Sequence, residues 1–180
     1  MTSIGRTCLA GALALTSGIA RADEPRGCDH FRWPIAQEQV ALSGSQKPEI
    51  GLGGAIKLYQ AASVLLAPLA QARLQKPPER TPTETASYAG MISLEPPAAG
   101  VYKVSLSGEG WIDVIQGDEF LKPTAVTGAL DCPGVRKSVK FQTIISRAQG
   151  WQIAVFDPLG SAAARASHIG RNEVNYLLFQ

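Results

Sequence analysis

Histidine, the side chain best suited to acid–base catalysis near neutral pH, occurs only twice in the 180 residues, as His30 and His168. Neither belongs to the short, paired spacings of histidine and cysteine that zinc sites use. No serine lies in the G-x-S-x-G turn of an α/β-hydrolase. A Ser-His-Asp triad whose members are distant in sequence is not excluded by this, because such residues come together only in the folded chain. Asp29 and His30 follow Cys28 and could supply two metal ligands without a visible third. The sequence therefore predicts no metal site and no cofactor, and it identifies no catalytic residue.

A second kind of chemistry is suggested by WIDVI, residues 111–115. In a strand, Trp111, Asp113 and Ile115 share one face, so a carboxylate lies between two large apolar side chains. Such a carboxylate is either paired or exposed. One interpretation is a carbohydrate site in which Trp111 stacks on a sugar ring and Asp113 accepts a sugar hydroxyl. The alternative is a surface aspartate beside a partly exposed tryptophan.

Three cations and a cysteine occur together in DCPGVRKSVKF, residues 131–141. As a strand, this stretch presents Arg136, Ser138 and Lys140 on one polar face. Two cations beside a serine could bind a sulfate, phosphate or carboxylate group. They could equally keep an edge strand from pairing with another sheet. The candidate binding residues are Trp111, Asp113, Arg136 and Lys140.

The N-terminus has the order of a secretory signal peptide. Residues 1–6 carry one positive charge, residues 7–20 are uncharged and mostly apolar, and an Ala-Arg-Ala triplet at 20–22 precedes two acidic residues. The apolar run is shorter than the roughly 20 residues that span a bilayer. We therefore expect cleavage after Ala22 and a mature protein that is periplasmic or secreted and not membrane-spanning.

Loss of residues 1–22 would leave the protein electrically balanced. Arg6 and Arg21 leave with the signal, so 15 of the 17 basic residues remain against 15 acidic residues. Proteins that bind nucleic-acid duplexes usually gather an excess of positive charge on one face. The glycine-rich GLGGAIK, residues 51–57, also fits neither common nucleotide-binding pattern. The sequence thus predicts no nucleic-acid partner.

The mature chain would contain two cysteines, because Cys8 is lost with the signal. An even number of cysteines in an oxidising compartment indicates a disulfide, here between Cys28 and Cys132. This bond would close a loop of about 100 residues and contribute about 4.7 kcal/mol in the chain-entropy model. The competing interpretation, a metal or redox site, lacks the paired spacings that it requires.

The elements that must position these residues are mostly strands. WPIAQEQVALS predicts one short helix, because Pro34 suits a first helical position and Ile35, Ala36, Val40 and Ala41 recur at helical spacing. Seven β-like runs follow, separated by glycine and proline: AIKLYQ, SVLLAPLA, SYAGMISLE, VYKVSLS, GWIDVIQ, VRKSVKFQTII and GWQIAVFD. This pattern predicts a mostly β protein, an antiparallel β-sandwich or jelly roll with one short N-terminal helix.

We expect residues 23–160 to form a single domain, since its size fits one hydrophobic core. Within it, residues 101–116 are expected to form a hairpin with its polar tip at Glu109. Residues 161–180 show no clear period and end in the apolar YLLF. This tail could provide a last strand or a docking segment, and we assign it no structure from sequence.

Three blocks of the chain resemble a family of small exported proteins from Gram-negative, alphaproteobacterial-type genomes: CDHFRWPIAQEQVAL, PPERTPTETASYAGMISLEPPAAGVYKVSLSGEGWIDVIQ and CPGVRKSVKF. They cover a little over half of the mature chain. The resemblance implies secretion, a Cys28–Cys132 pairing and a β-sandwich, and it carries over no catalytic residue. More loosely, AAGVYKVSLSGEGWIDV is similar to strands of pre-peptidase C-terminal-type domains, accessory sandwiches of secreted enzymes. The residues after Phe141 depart from that pattern.

These observations favour a non-catalytic periplasmic module that binds a protein, a glycan or an envelope component. The alternative is a small periplasmic enzyme, a hydrolase or a metal-dependent oxygenase, that uses His30 with a nearby carboxylate such as Asp29 or Asp113. A third hypothesis is a structural accessory subunit whose C-terminal YLLF docks on a larger enzyme. The oligomeric state does not follow from the sequence.

Overall fold

The structure, a computed structural model, describes residues 24–81, 87–143 and 150–157 and, as backbone, residues 172–179. The predicted signal peptide at 1–22 and His168 lie outside the described residues. The helix is α1 (Ala36–Ser43), and short 3₁₀ turns lie at Cys28–His30 and Leu69–Gln71. The strands are β1 (Glu49–Ile50), β2 (Ala61–Pro68), β3 (Tyr88–Leu94), β4 (Gly100–Leu106), β5 (Trp111–Gln116), β6 (Glu119–Leu121), β7 (Pro123–Gly128), β8 (Lys137–Thr143), β9 (Trp151–Asp157) and β10 (Asn172–Phe179).

The strands form two sheets that share one long strand. Sheet one has the order β1-β2-β10-β4-β8-β7, and sheet two has the order β2-β3-β9-β5-β6. The first part of β2 pairs with β10 in sheet one, whereas Ala67 and Pro68 pair with β3 in sheet two. These pairings are antiparallel, apart from the short parallel pairing of β1 with β2. The predicted antiparallel β-sandwich with one short N-terminal helix is confirmed.

The core between the sheets is built from the apolar face of each strand. Trp151 of β9 lies at its centre and is fully buried. The ring of Tyr102 lies 5.2 Å from the Trp151 ring at an angle of 75°, and the ring of Phe141 lies 6.3 Å away at 73°. Edge-to-face packing of this kind suits aromatic rings, and each large side chain contributes about 1.5–3 kcal/mol by its burial.

The predicted hairpin over residues 101–116 is wrong. β4 pairs with β8 and β10, whereas β5 pairs with β6 and β9. The turn around Glu109 therefore carries the chain from sheet one to sheet two. Val104 and Val114 then enter the same core from opposite sides. Alternation in a sequence identifies the buried face of a strand, but it does not choose the neighbouring strand.

Two local predictions also need correction. AIKLYQ, residues 55–60, is not a strand but a loop and turn in which Tyr59 adopts a φ of 59°. In α1 the buried face carries Glu38 and Leu42, while Val40 is 77% exposed. Of the four apolar residues whose spacing predicted the helix, Ile35 is buried and Ala41 half-buried, whereas Ala36 and Val40 are exposed. A buried carboxylate such as Glu38 is not anticipated from periodicity.

Each sheet is covered on its outer face by a non-strand segment. The N-terminal segment packs on sheet one through Ile35 and Leu42, together with Cys132 and Val135. The sulfur atoms of Cys28 and Cys132 lie at disulfide distance, with the α-carbons 4.8 Å apart. The predicted bond therefore ties this cover to the connection between β7 and β8.

The segment that follows β2 covers sheet two. Leu69 and Leu74 pack against a second outer cluster that contains Ala154 and Phe156 of β9 and Trp111 of β5. The described part of this segment extends to residue 81. The outer faces of both sheets are therefore partly buried.

The C-terminal residues 172–179 form β10, which lies between β2 and β4 in sheet one. Residues 158–171 of the predicted tail region lie outside the described part of the chain. No helix among the described residues is long and apolar enough to cross a membrane.

Candidate functional site

Two lysines lie opposite each other on the outer face of sheet one. The register of β4 and β8 pairs Lys103 with Lys140, and such neighbours have Cβ atoms about 4.5–5.5 Å apart. Like charges in these positions destabilise a sheet. Each ammonium group therefore needs a compensating contact from outside the sheet, and the N-terminal cover provides both.

Lys103 is neutralised by a carboxylate from α1. Its Nζ forms an ion pair with Oε1 of Glu38, whose side chain is 2% exposed against 16% for Lys103. Glu38 lies on the same helix face as Leu42, which packs in the cluster beneath the helix. A carboxylate buried to this degree depends on its cation, because removing one partner leaves an uncompensated charge.

Lys140 has an aromatic partner. Its Nζ lies 4.4 Å from the centre of the Trp33 ring, within the range of a cation–π interaction. Among the described residues, Lys140 forms no ion pair with a carboxylate. The indole ring therefore stabilises this positive charge without neutralising it.

Trp33 is held in place by a chain of hydrogen bonds to the sheet. Its Nε1 donates to Oγ of Ser138 at 3.1 Å, and Oγ of Ser105 donates to the same Ser138 hydroxyl at 2.9 Å. Ser138 is completely buried. This serine, predicted to lie between two ligand-binding cations, instead fixes the orientation of the tryptophan.

These side chains line a groove of about 630 Å³ between α1 and sheet one. Its volume lies within the usual range of small-molecule sites, about 300–1,000 Å³. We call it the lysine groove; it is lined by Trp33, Pro34, Ala36, Gln37, Glu38, Val101, Lys103 and Lys140. Two cations and one carboxylate give it a net positive charge, and Trp33 and Val101 add apolar surface.

Arg136, on the same polar face of the stretch, is already paired. Two of its nitrogens bind the carboxylate oxygens of Glu24 at 2.6 and 2.7 Å, and Glu109 lies 3.6 Å away. The hydrogen bond from Arg136 holds the pKa of the Glu24 carboxyl below its ordinary value. Arg136 therefore anchors the start of the N-terminal cover to the sheet and is not part of the lysine groove.

Trp111 and Asp113 lie on sheet two. The Trp111 ring stacks on Phe156 with 4.7 Å between ring centres and 13° between planes. Asp113 is only 7% exposed, and its Oδ2 accepts the backbone N–H of Glu79 at 2.9 Å. Burial raises the pKa of Asp113 above its ordinary value, although the Glu79 N–H favours the carboxylate.

The structure therefore divides the four candidate residues between separate places. Lys140 lines the lysine groove, Arg136 pairs with Glu24, and Trp111 and Asp113 line a smaller cavity beside β5. Sequence reasoning missed Trp33, Lys103 and Glu38. The alternation of VYKVSLS put Lys103 on a polar face, but only the strand register reveals that it faces Lys140.

His30 and Asp29 are exposed on the 3₁₀ turn that begins with Cys28. His30 lines a depression of about 290 Å³ together with Glu24 and Lys137. Asp113 does not line that depression. Within the described ranges, no group of three or more histidine, cysteine, aspartate or glutamate side chains is arranged to hold a metal ion.

The lysine groove combines an anchored aromatic ring, an apolar wall and an excess of positive charge. Such a surface can bind the anionic group of a ligand by charge-assisted hydrogen bonds and its body by contact with the ring. A comparison of the chain with protein-family models and with curated protein sequences finds no significant match.

Proposed function

We propose that this protein is an exported, non-catalytic binding module whose lysine groove binds an acidic glycan of the cell envelope. The carboxylate of the sugar would lie between the ammonium groups of Lys140 and Lys103. Its ring would contact Trp33 and the apolar wall at Val101.

The observation that carries the proposal is the pairing of Lys103 with Lys140 in a groove whose lining residues include one carboxylate, that of Glu38. Glu38 compensates one ammonium group, whereas Lys140 lies over the Trp33 ring and forms no ion pair with a carboxylate of the described residues. Two like charges directly opposite each other repel within a sheet, and an anion bound between them would offset that repulsion. A bound carboxylate would supply the missing negative charge.

Export is supported by two independent features. The disulfide between Cys28 and Cys132 is a bond that persists in oxidising compartments. The order of charged, apolar and small residues at 1–22 is typical of a signal peptide. The resemblance of the three sequence blocks to small exported proteins points the same way.

The enzymatic alternative relies on His30 acting with a carboxylate. Asp29, its neighbour in the chain, is exposed beside it, and Asp113 lines a different cavity. A general base must lie within hydrogen-bond reach of the proton that it removes. The lysine groove offers a more developed recognition surface than the depression at His30, so we favour binding.

The test compares a glucuronate-containing oligosaccharide with its carboxyl-reduced, neutral counterpart. Binding is followed by NMR of the ¹⁵N-labelled protein through the indole N–H of Trp33, which is assigned with a Trp33→Phe variant. The acidic oligosaccharide should shift this resonance saturably, and affinity should fall between 50 and 300 mM salt as screening increases (roughly from 14 to 6 Å in Debye length).

Lys140→Gln should weaken binding of the acidic oligosaccharide about tenfold, since hydrogen bonds to charged groups are worth about 1.5–3 kcal/mol. Lys57→Gln is the matched control, because Lys57 is an exposed lysine outside the groove. Equal affinity for the acidic and neutral oligosaccharides, or unchanged binding by Lys140→Gln, would contradict the proposal.

A further inference from the structure

A second, smaller cavity lies where the β5–β6 hairpin opens. The two strands pair from Gln116 with Glu119 as far as Val114 with Leu121, and there the pairing ends. The chain then enters β7 of the other sheet at Pro123, which has no N–H to continue the ladder. On this side, no described strand pairs with the first half of β5.

The opening is partly closed by side chains from both sheets and from the cover of sheet two. The resulting cavity has a volume of about 120 Å³. It is lined by Glu79, Arg80, Trp111, Ile112, Asp113, Leu121, Pro123, Val126, Lys137 and Val139. Apolar residues form part of its wall, but charged groups enter from three different segments of the chain.

Hydrogen-bond donors are in excess on one part of this wall. The Nε1 of Trp111 is buried and has no well-aligned acceptor within the described part of the chain, although it lies close enough to Asp113 to help lower the pKa of that carboxyl. The Nζ of Lys137 donates to the carbonyl of Gly110, which leaves two of its N–H groups for other acceptors. Arg80 adds a guanidinium group. A buried donor without an acceptor costs about 1–3 kcal/mol, so the cavity favours a ligand with acceptor oxygens.

The wall also holds one buried acceptor. Asp113 accepts the Glu79 N–H through Oδ2 and forms no ion pair with Lys137 or Arg80 among the described residues. Burial raises the pKa of Asp113 and lowers the pKa of Lys137. Burial is the largest cause of both shifts because it disfavours the charged form of each group, and the positive charge of Arg136 also lowers the pKa of Lys137.

We propose that this cavity binds a small carboxylic acid that also carries a hydroxyl or ammonium group. The ligand carboxylate would accept hydrogen bonds from Lys137, Arg80 and the indole of Trp111. Its hydroxyl or ammonium group would donate to Asp113. At roughly 30 Å³ per water molecule, the cavity has the volume of about four waters, which suits an acid of two to four carbons.

The same arrangement disfavours other ligands. A phosphate or sulfate dianion would place its second charge near the Asp113 carboxylate, and like charges repel more strongly at a partly buried site than in bulk water. An acid without a donor group would add no hydrogen bond to the Asp113 carboxylate, which accepts the Glu79 N–H. The cavity thus selects for one negative charge and one donor within a short molecule.

The test titrates the ¹⁵N-labelled protein with glycolate, acetate and inorganic phosphate and follows the indole N–H of Trp111, assigned with Trp111→Phe. We expect glycolate to shift this resonance saturably. Acetate should bind about fivefold more weakly because it cannot donate a hydrogen bond to Asp113, and phosphate should bind more weakly still. The readout is independent of the lysine groove, so Lys140→Gln should leave it unchanged.

Three variants separate the contacts. Asp113→Asn should remove most of the preference for glycolate over acetate, while its amide oxygen can still accept the Glu79 N–H. Lys137→Gln should weaken both acids about tenfold, and Lys57→Gln should weaken neither. Trp111→Phe keeps the stack on Phe156 and removes the indole N–H. For this variant, ligand-observed NMR should report several-fold weaker binding of glycolate.

The dispersion of the amide spectrum verifies that each variant is folded before its affinity is interpreted. Lys137→Met, which also removes the charge and the donors, replaces Lys137→Gln if the latter does not fold. No saturable shift with glycolate, equal affinity for glycolate and acetate, or wild-type affinity in the folded Lys137 variant would overturn the proposal. Saturable glycolate binding together with no effect of the glucuronate oligosaccharide would support this cavity and reject the lysine groove, so the two proposals fail separately.

Discussion

At the scale of the residue, neighbours determine what a charged side chain can do. Lys103 and Lys140 have the same chemistry and directly opposed positions, but the first contacts a buried carboxylate and the second an aromatic ring. Arg136, only four residues before Lys140 on the same polar face, is held by Glu24. The three cations therefore have three different environments: Lys103 is in an ion pair, Lys140 lies over an aromatic ring, where we propose that it binds a ligand, and Arg136 anchors the N-terminal cover.

This difference predicts unequal stabilities for two lysine variants. Lys103→Gln should lower the free energy of unfolding by about 3–5 kcal/mol, because the Glu38 carboxylate is left buried without a cation. Lys140→Gln should cost about 1 kcal/mol or less, the size of a partly exposed cation–π interaction. Urea unfolding at pH 7 measures both values.

The double variant Glu38→Gln/Lys103→Gln is the control for that prediction. It removes both charges, so it should recover much of the stability lost in Lys103→Gln. Equal losses in the two single lysine variants, or no recovery in the double variant, would mean that the ion pair does not stabilise the helix on the sheet.

At the scale of the element, strand order changes the meaning of sequence patterns. β8 was open to interpretation as an edge strand protected by cations, but it pairs with β4 on one side and β7 on the other. Its polar face is covered by the N-terminal segment, where Ser138 bonds to Trp33. The polarity of β8 therefore serves an internal contact between layers and not the protection of an edge.

Trp111 provides the test at this scale. Because it stacks on Phe156 and packs with Leu69 and Leu74 under the cover of sheet two, Trp111→Ala should cost about 2–4 kcal/mol, somewhat less than a fully buried tryptophan. Trp111→Phe, which preserves the stack, should cost about 1 kcal/mol. Thermal and urea unfolding measure the difference between the two variants. A loss of stability below about 0.5 kcal/mol in Trp111→Ala, typical of surface positions, would contradict this prediction and would indicate that the Trp111 side chain is exposed and available to stack on a sugar ring.

At the scale of the whole molecule, one covalent bond connects the N-terminal cover to the sandwich. The bond joins Cys28 to Cys132, 104 residues later in the chain. The side-chain amide of Gln39 in α1 lies beside both sulfur atoms. The covalent attachment and the helix therefore hold together the segment that supplies Trp33 and Glu38 to the lysine groove.

A Cys28→Ser/Cys132→Ser variant should consequently lose both stability and binding. We expect a decrease of about 2–4 kcal/mol in the free energy of unfolding, together with weaker binding of the glucuronate oligosaccharide, since the wall of the groove is no longer tethered. Non-reduced mass measurement verifies the bond in the wild type. Full retention of binding in the folded serine variant would indicate that packing alone holds the cover.

Particular residues mark the limit of prediction from sequence. The alternation of Tyr102, Val104 and Leu106 correctly identified a buried face, because the period of a strand is local. The same alternation led to a wrong hairpin with β5, since partner choice depends on contacts distant in the chain. Glu38 was not anticipated at all, because its burial requires a lysine that lies 65 positions away.

The sequence by itself determined the mostly β character, the short helix and the pairing of Cys28 with Cys132. These features follow from local periodicity, from turn-forming residues and from the number of cysteines, which all act over a few residues or by simple counting. Only the tertiary structure decided which polar faces are covered, that Lys103 faces Lys140, and that the pairing of β5 with β6 ends at Val114 beside a cavity. The physical reason is that periodicity specifies which side chains share a face, whereas the contents of the opposite layer are specified by long-range packing.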